Sequence, residues 1–484
     1  MILTGRADAG RVYRLLLAIA LWCAVPMSGA QTGSAVGASG ARQPQWSPGS
    51  FQGSVASEPV PGVLRLSLQD AIDRGLRQNL GTLLSSEDVR SARGERWEQL
   101  SALLPHVVAA PHFDVSKTNL SEVGFSFKVP GLTFPTSVGP FSYFDARVNL
   151  TQSLLDFKSI GKARSAGQTL KAAEYTYKDA RDLVVLAVGF AYLQAVADQA
   201  RIETAEAQVK TALAIHSQAS DQVNAGTSPA IDGLRAKVEL QTRQQQLIQA
   251  KNDFAIQKLT VARAIGLASG QEFELTDQAL DQPFETLTAE ESIRRAYVSR
   301  SDYQAATAEV RAAEFSRNAA VAGYFPSVSF NSDFGKGGSH PSTATEVFDV
   351  RGTLSIPIFQ GGSVHGEVLQ ADARLRQSRD RLANLRGQID SEVRTALLNL
   401  QSSAEQVEVA RSTIELADAA LAQSRDRFTA GVTDTVEVVQ SEQAVASAHE
   451  QYISSLYNYN YAKISLARAM GNAEASVKEY IKGK

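Results

Sequence analysis

Few side chains in this sequence are spaced for bond-making chemistry. His106 and His112 stand six apart in an alternating stretch and share a face, but no third ligand lies near them. The pair therefore reads as polar lining rather than a metal site. "GKGGS" (Gly335 to Ser339) lacks the spacing of a phosphate loop and falls between two strand patterns, so it is expected to be an outer loop. There is no G-x-S-x-G and no metalloprotease helix. No catalytic residue, cofactor or metal is expected. What remains are acids placed just past glycine turns. In "RFTAGVTDTVEVVQ" (Arg427 to Gln440) Gly431 is followed six residues on by Glu437; in "QVNAGTSPAIDGLR" (Gln222 to Arg235) Gly226 is followed six residues on by Asp232. Acids near a helix N-terminus are favoured by its dipole. Asp434 fits an N-cap of the returning helix.

The elements that hold these turns occur in duplicate. "LTVARAIG" (Leu259 to Gly266) matches "ISLARAMG" (Ile464 to Gly471), and "YFDARVNLTQSLLDF" (Tyr143 to Phe157) matches "VFDVRGTLSIPIFQG" (Val347 to Gly361). "LSLQDAI" (Leu66 to Ile72) answers "LTAEESI" (Leu287 to Ile293), and "LLP" (Leu103 to Pro105) answers "YFP" (Tyr324 to Pro326). Landmarks that recur in one order mark a duplicated unit. Each unit reads helix, strand, loop, strand, very long helix, turn, long helix. The first is expected over 64–266, with strands 105–117 and 143–154 and a helical hairpin over 158–266. The second is expected over 287–471, with strands 326–334 and 347–358 and a hairpin over 362–470. Residues 267–302 join them, and 472–484 form a tail.

Heptads run through both hairpins. Val393, Leu400, Val407, Ile414, Leu421 and Phe428 recur every seventh residue, and three positions on lie Ala396, Ser403, Ala410, Ala417 and Ser424. The returning helix repeats the pattern with Val438, Val445, Tyr452, Tyr459 and Leu466 beside Ser441, Ala448, Ser455, Ala462 and Ala469. The first unit carries Val188, Ala195, Ile202, Val209 and Val223, with His216 where the second has Leu421. One bulky and one small lane suit closely packed coiled helices. No proline interrupts 158–224, so that helix is about 100 Å long and has to lie along other long helices.

The strands alternate. Phe144, Ala146, Val148 and Leu150 oppose Asp145, Arg147, Asn149 and Thr151; Phe348, Val350, Leu354 and Ile356 oppose Asp349, Arg351, Thr353 and Ser355. Such strands either cover a soluble core on one face or cross a bilayer at a tilt. Four strands are too few to close a barrel, and an open edge is not tolerated in lipid. A membrane reading therefore requires several copies to pool strands.

Composition supports export. Arg6, Arg11 and Arg14 precede the apolar "LLLAIALWCAV" (Leu15 to Val25) and the small-residue "SGA" (Ser28 to Ala30), which read as a signal peptide over 1–30. The lone cysteine, Cys23, lies inside it, preceded by the bulky Trp22, so lipidation is not expected. A Gly/Ser/Pro-rich leader follows over 31–63. The 48 basic and 51 acidic residues nearly balance, which gives no basis for nucleic-acid binding.

With duplication, strand pairs and long helical hairpins in place, the chain resembles the TolC-like outer-membrane efflux proteins across nearly all of Leu66–Asn472. The residues that carry the resemblance are "LSIPIFQGG" (Leu354 to Gly362), "RFTAGV" (Arg427 to Val432) and "ARAMG" (Ala467 to Gly471). The first unit departs from it, with Ser153 in place of Pro357 and "DFK" in place of "FQG", so its strand-to-helix passage is expected to be less sharply bent. The resemblance implies a mainly α chain with a small β part. It also implies a homotrimer whose twelve pooled strands form a transmembrane β-barrel in the outer membrane, continued through the periplasm by a coiled-coil α-barrel. Such a channel is the passive exit duct of a tripartite efflux or type I secretion system. A periplasmic adaptor (membrane fusion) protein links it to an inner-membrane pump.

By the same resemblance, Ala225, Gly226, Thr227, Ala430, Gly431 and Val432 are tip turns that meet the adaptor. Pro357, Gly361 and Gly362 form the strand-to-helix passage, and 267–302 belongs to a belt around the middle. Glu437 matches an inward-facing gate acid, Asp232 is its first-unit counterpart, Gln440 occupies the next acid position and Asp434 lies beside them. Around a threefold axis one carboxylate becomes a ring of three, which favours cations. The rival readings are an exported coiled-coil scaffold without a pore and a periplasmic adaptor.

Overall fold

A computed structural model describes residues 53–59, 61–120, 122, 124, 135–277 and 288–475. The expected signal peptide, Cys23, most of the leader, and the tail beyond 475 lie outside the described residues. Helix α1 (Leu68–Gln78) starts at Ser67, whose hydroxyl accepts from Asp70 N while the Asp70 carboxylate accepts from Ser67 N. It buries Leu68, Ala71, Ile72, Gly75 and Leu76, the i, i+3, i+4, i+7, i+8 face of an amphipathic helix. Asn79 ends α1 and caps α2 (Leu80–Ser101), accepting from Gly81 N.

The first long hairpin is α3 (Phe157–Asn224, 68 residues) and α4 (Ala230–Ile265). The second is α7 (Ser363–Thr429, 67 residues) and α8 (Thr435–Ala469). Between them lie α5 (Ala289–Ser299) and α6 (Ser301–Val321). Helices α3 and α7 each run about 100 Å. Near their starts α6 packs against both, with α2 also on α3; further along, α4 and α8 take over as partners. Most of the second hairpin's lanes enter the contact, while Ile414, Ala417 and Leu421 are only half-buried. Val393, Leu400, Val407 and Phe428 are buried, as are the small Ala396, Ser403, Ala410 and Ser424. The Ser424 and Ser441 hydroxyls meet at 2.7 Å, small lane to small lane. One stretch of α3 is long and apolar enough to cross a membrane, but half of it is buried within the chain. There Val184 and Val188 press on Gly75, where a Cβ would stand 2.7 Å from Val188 Cγ2, so this is a core helix.

The sheet carries the other clue to function. Strands β2 (His106–Asn119), β3 (Ser137–Leu155), β5 (Ser327–Gly338) and β6 (Thr345–Ser355) pair antiparallel in the order β2-β3-β5-β6. A separate two-stranded parallel pair joins β1 (Leu64–Leu66) to β4 (Phe273–Leu275). The strands outrun their sequence pattern. β5 does not stop at Phe334: Gly335 to Gly338, read from sequence as a loop, continue the ladder against Arg147, Ala146, Asp145 and Phe144. At Gly335 a Cβ would stand 2.1 Å from Ala146 O, so glycine is what permits the approach. β6 stops at Ser355, before Pro357.

The two strand-to-helix passages differ. In the first unit Asp156 alone separates β3 from α3, and its carboxylate accepts from Lys158 N and Ser159 N. In the second, residues 356–362 intervene, and Gly361 and Gly362 take φ of 59° and 84°. Lys158 of α3 bonds Glu367 of α7 at 2.8 Å, tying the two helix starts together.

Candidate functional site

The hairpin tips are built alike. In the first, Gly226 N donates to Val223 O and Thr227 N to Gln222 O; in the second, Gly431 N donates to Phe428 O and Val432 N to Arg427 O. This paired closure requires a left-handed residue, and Gly226 and Gly431 supply φ of 73° and 69°. Ala225, Gly226, Thr227, Ala430, Gly431 and Val432 are all exposed.

The acids beyond the turns part company. Asp434 caps α8, accepting from Val436 N at 3.1 Å and Glu437 N at 3.4 Å. Its first-unit counterpart is Pro229, which offers no side-chain cap. Glu437 is half-buried, accepts from Thr433 Oγ1 and lies 3.4 Å from Arg427 Nη1. Asp232 is buried and lies 3.4 Å from Arg235 Nη1. Gln440 is exposed. The structure brings Glu437, Asp434 and Gln440 onto one tip and Asp232 onto the other.

Just above the tips the hairpins meet in an apolar knot of Ile215 and Ala219 (α3), Ala236 (α4), Phe428 (α7) and Val438 (α8), with Leu421 against it. A polar layer follows. Arg243 is 2% exposed and donates to Glu239 (2.7 Å), Gln246 (3.0 Å) and, across the hairpins, Gln443 (3.0 Å). Glu442 is also buried there, 3.5 Å from Arg425 Nη2. The sequence reading missed Glu442. The available signal was an acid four residues after Val438 and three before Val445, on the core face of the heptad.

A second charged node ties the hairpins to the junction of α5 and α6. Arg300, 2% exposed, bridges Asp302 and Glu392 at 2.6 Å each, and Arg468 reaches Asp179 at 2.6 Å. Burial pushes the Asp179 carboxyl up to about 6 in spite of Arg468. Arg181 bonds Glu474 through two nitrogens.

The sheet presents two unlike faces. Val107, Phe113, Val115, Val148, Phe334, Phe348, Val350 and Leu354 share one face and are exposed. The other face carries Arg147, which bridges Asp145 (2.8 Å) and Asp333 (3.1 Å). His112 sits opposite Asp145 on that polar face, and His106 Nδ1 lies 3.1 Å from Leu104 O. No cluster of three metal-ligating side chains occurs among the described residues.

Known proteins share this plan. The chain is 26% identical over 439 residues to the outer membrane protein OprJ of Pseudomonas aeruginosa, covering 85% of this chain and 84% of that protein. It is 22% identical over 417 residues to the probable efflux pump outer membrane protein SepC of Pseudomonas putida, covering 84% and 83%. It is 23% identical over 332 residues to the alkaline protease secretion protein AprF of Pseudomonas aeruginosa, covering 66% and 68%. Among solved structures, the outer-membrane channel OprN superposes with a TM-score of 0.73 at 19% identity, over 84% of this chain and 90% of that one. The Campylobacter jejuni CmeC outer membrane channel gives 0.74 at 17%, over 86% and 88%. The profile of the outer membrane efflux protein family matches residues 85–267 and again 292–472. Two matches in succession, one on each unit of the duplication, make this chain a member of the outer membrane efflux protein family.

Proposed function

We propose that the chain, as a homotrimer, is the outer-membrane exit duct of a tripartite efflux or type I secretion system. The observation that carries this is the four-stranded sheet. One face is apolar and exposed, the other holds ion pairs, and β2 and β6 are the two edge strands of the sheet among the described residues. Unpaired strand edges cannot face lipid. Pairing β6 of one copy with β2 of the next removes the edges, and three copies give twelve strands. The apolar face then meets lipid and the Arg147 face lines the pore. Phe325 and Phe359 at the helix side, with Phe334 and Phe348 at the loop side, fit two interfacial girdles.

The helices continue the duct into the periplasm from the passage at Pro357, Gly361 and Gly362, and the belt that includes 267–302 surrounds its middle. The tip turns 225–227 and 430–432 meet a periplasmic adaptor, which joins the duct to an inner-membrane pump. Glu437 is the gate acid, with Gln440 above it making the constriction less negative than two stacked acid rings. Asp434, committed to its helix cap, and Asp232, buried, support the gate from outside the ring. No bond is made or broken; transport through the duct is passive. Relatives named for efflux and for protease secretion both support an exit duct, so the proposal extends to the duct and not to its cargo.

The test is the native mass of the particle extracted from isolated outer membranes, followed by conductance in planar bilayers. A detergent-requiring trimer that conducts is the expected result. A soluble monomer or dimer would make the coiled-coil scaffold or the adaptor the better reading.

A further inference from the structure

Glu442 is ionisable, buried and poorly paired. It is 6% exposed, and neither carboxylate oxygen reaches solvent or accepts a well-formed hydrogen bond from the described residues. Its nearest cation, Arg425 of α7, stands at 3.5 Å, and the Arg425 Nε is itself buried without a partner. Arg243 of α4 is already held by Glu239, Gln246 and Gln443. Leaving an ionised carboxylate in such a place is costly. The site has room to change, because a cavity of about 430 Å³ opens beside it between the hairpins, lined by Gln208, Thr211, Leu421 and His449 among others.

We infer that Glu442 is a proton-operated latch between the two hairpins: its neutral carboxyl keeps the four helices packed above the tips, and its carboxylate favours their parting. The inference rests on the channel reading for its purpose, but not for its physics. The groups facing Glu442 are Arg425 and Asp418 on α7, Arg243 and Glu239 on α4, Glu203 on α3, and His449 on α8 itself. Burial pushes the Glu442 carboxyl above the ordinary range. Arg425 opposes this, Glu239 adds to it, and Arg243 opposes it again. The sign follows by linkage. A carboxyl whose pKa is raised in the packed form stabilises that form at low pH, and the contribution is lost as pH rises through the raised value. Parting the helices lets water reach the carboxylate and releases the proton. Acid therefore tightens this layer and alkali loosens it.

Gln218 of α3 and Thr429 of α7 report the gap, since the Gln218 amide donates to the Thr429 hydroxyl at 3.3 Å across the hairpins. In full-length chain carrying Cys23→Ser, nitroxides on Gln218→Cys and Thr429→Cys would be followed by EPR line broadening in detergent from pH 8 to pH 5. Broadening is expected to rise as pH falls. Glu442→Gln should be broad throughout, with the pH slope lost completely. Glu442→Asp should restore the slope, and His449→Gln should leave it unchanged. A slope that survives in Glu442→Gln, that vanishes in His449→Gln, or that is absent from the parent chain would overturn the latch. Conductance of the same preparation tests the duct separately: a chain that shows the slope but never conducts overturns the duct and not the latch.

Discussion

Each long hairpin uses glycine at both of its ends, in opposite surroundings. At the belt, Gly266 and Gly471 take φ of 70° and 77°; at the tips, Gly226 and Gly431 take 73° and 69°. A Cβ on Gly266 would stand 2.6 Å from Gln78 Cβ and Val55 O, and one on Gly471 would stand 2.6 Å from Arg300 Cα and N. A Cβ on either tip glycine meets nothing within 4 Å. One backbone device thus serves two purposes. At the belt it lets a helix end press against distant chain and locks the hairpin root. At the tip it only turns the chain, with open space around it.

The largest effect is expected from adding the missing methyl at each end. Gly266→Ala and Gly471→Ala combine left-handed strain with overpacking and should each cost about 2–4 kcal/mol. Gly226→Ala and Gly431→Ala carry the backbone term alone, about 1 kcal/mol. Thermal unfolding by circular dichroism checks this; tip variants as damaging as belt variants would mean the tips are not free.

The belt should also respond to pH in a way the tips do not. The Asp179 carboxyl sits at about 6 when folded, above its unfolded value. Its stabilising contribution is therefore present in acid and lost as pH rises through about 6. The full swing is on the order of 3 kcal/mol and develops mostly between about pH 4 and pH 6. The Asp179 contribution to the parent's melting temperature should fall between about pH 4 and pH 6.5, and Asp179→Asn should flatten that slope. An unaltered slope would place the sensitivity elsewhere.

Smaller effects separate the two tips from one another. Asp434→Ala removes a cap that accepts two backbone bonds and should cost about 1 kcal/mol. Pro229→Ala removes no cap and should fall within about 0.5 kcal/mol. Equal losses would show that the caps do not distinguish the hairpins. The smallest stability effect is expected at Glu437, whose partner Arg427 is largely in solvent. Glu437→Ala should change the midpoint little while weakening block of the channel by divalent cations; unchanged block would remove Glu437 from the gate.

Patterns that repeat at short range were legible from residue order alone. Heptad lanes placed Val393, Leu400 and Val407 in the core together with Ala396, Ser403 and Ala410. Alternation placed Asp145 and Arg147 on one face and Val148 on the other. Glycine and its neighbours located both turns. These signals are legible because helix and strand periods follow from backbone geometry, which any stretch of chain carries with it. Which charges would be buried depended on the assembled fold. It joined Arg468 to Asp179, 289 positions away, and Arg243 to Gln443, 200 away. It kept Gly335 to Gly338 in a strand, because neighbours on both sides offered a ladder that glycine could approach. It also gave the matched acids Asp232 and Glu437 different surroundings, and it left Glu442 in the core with only a long contact to Arg425. Burial depends on which helices meet, and that is settled by the packing of segments hundreds of residues apart.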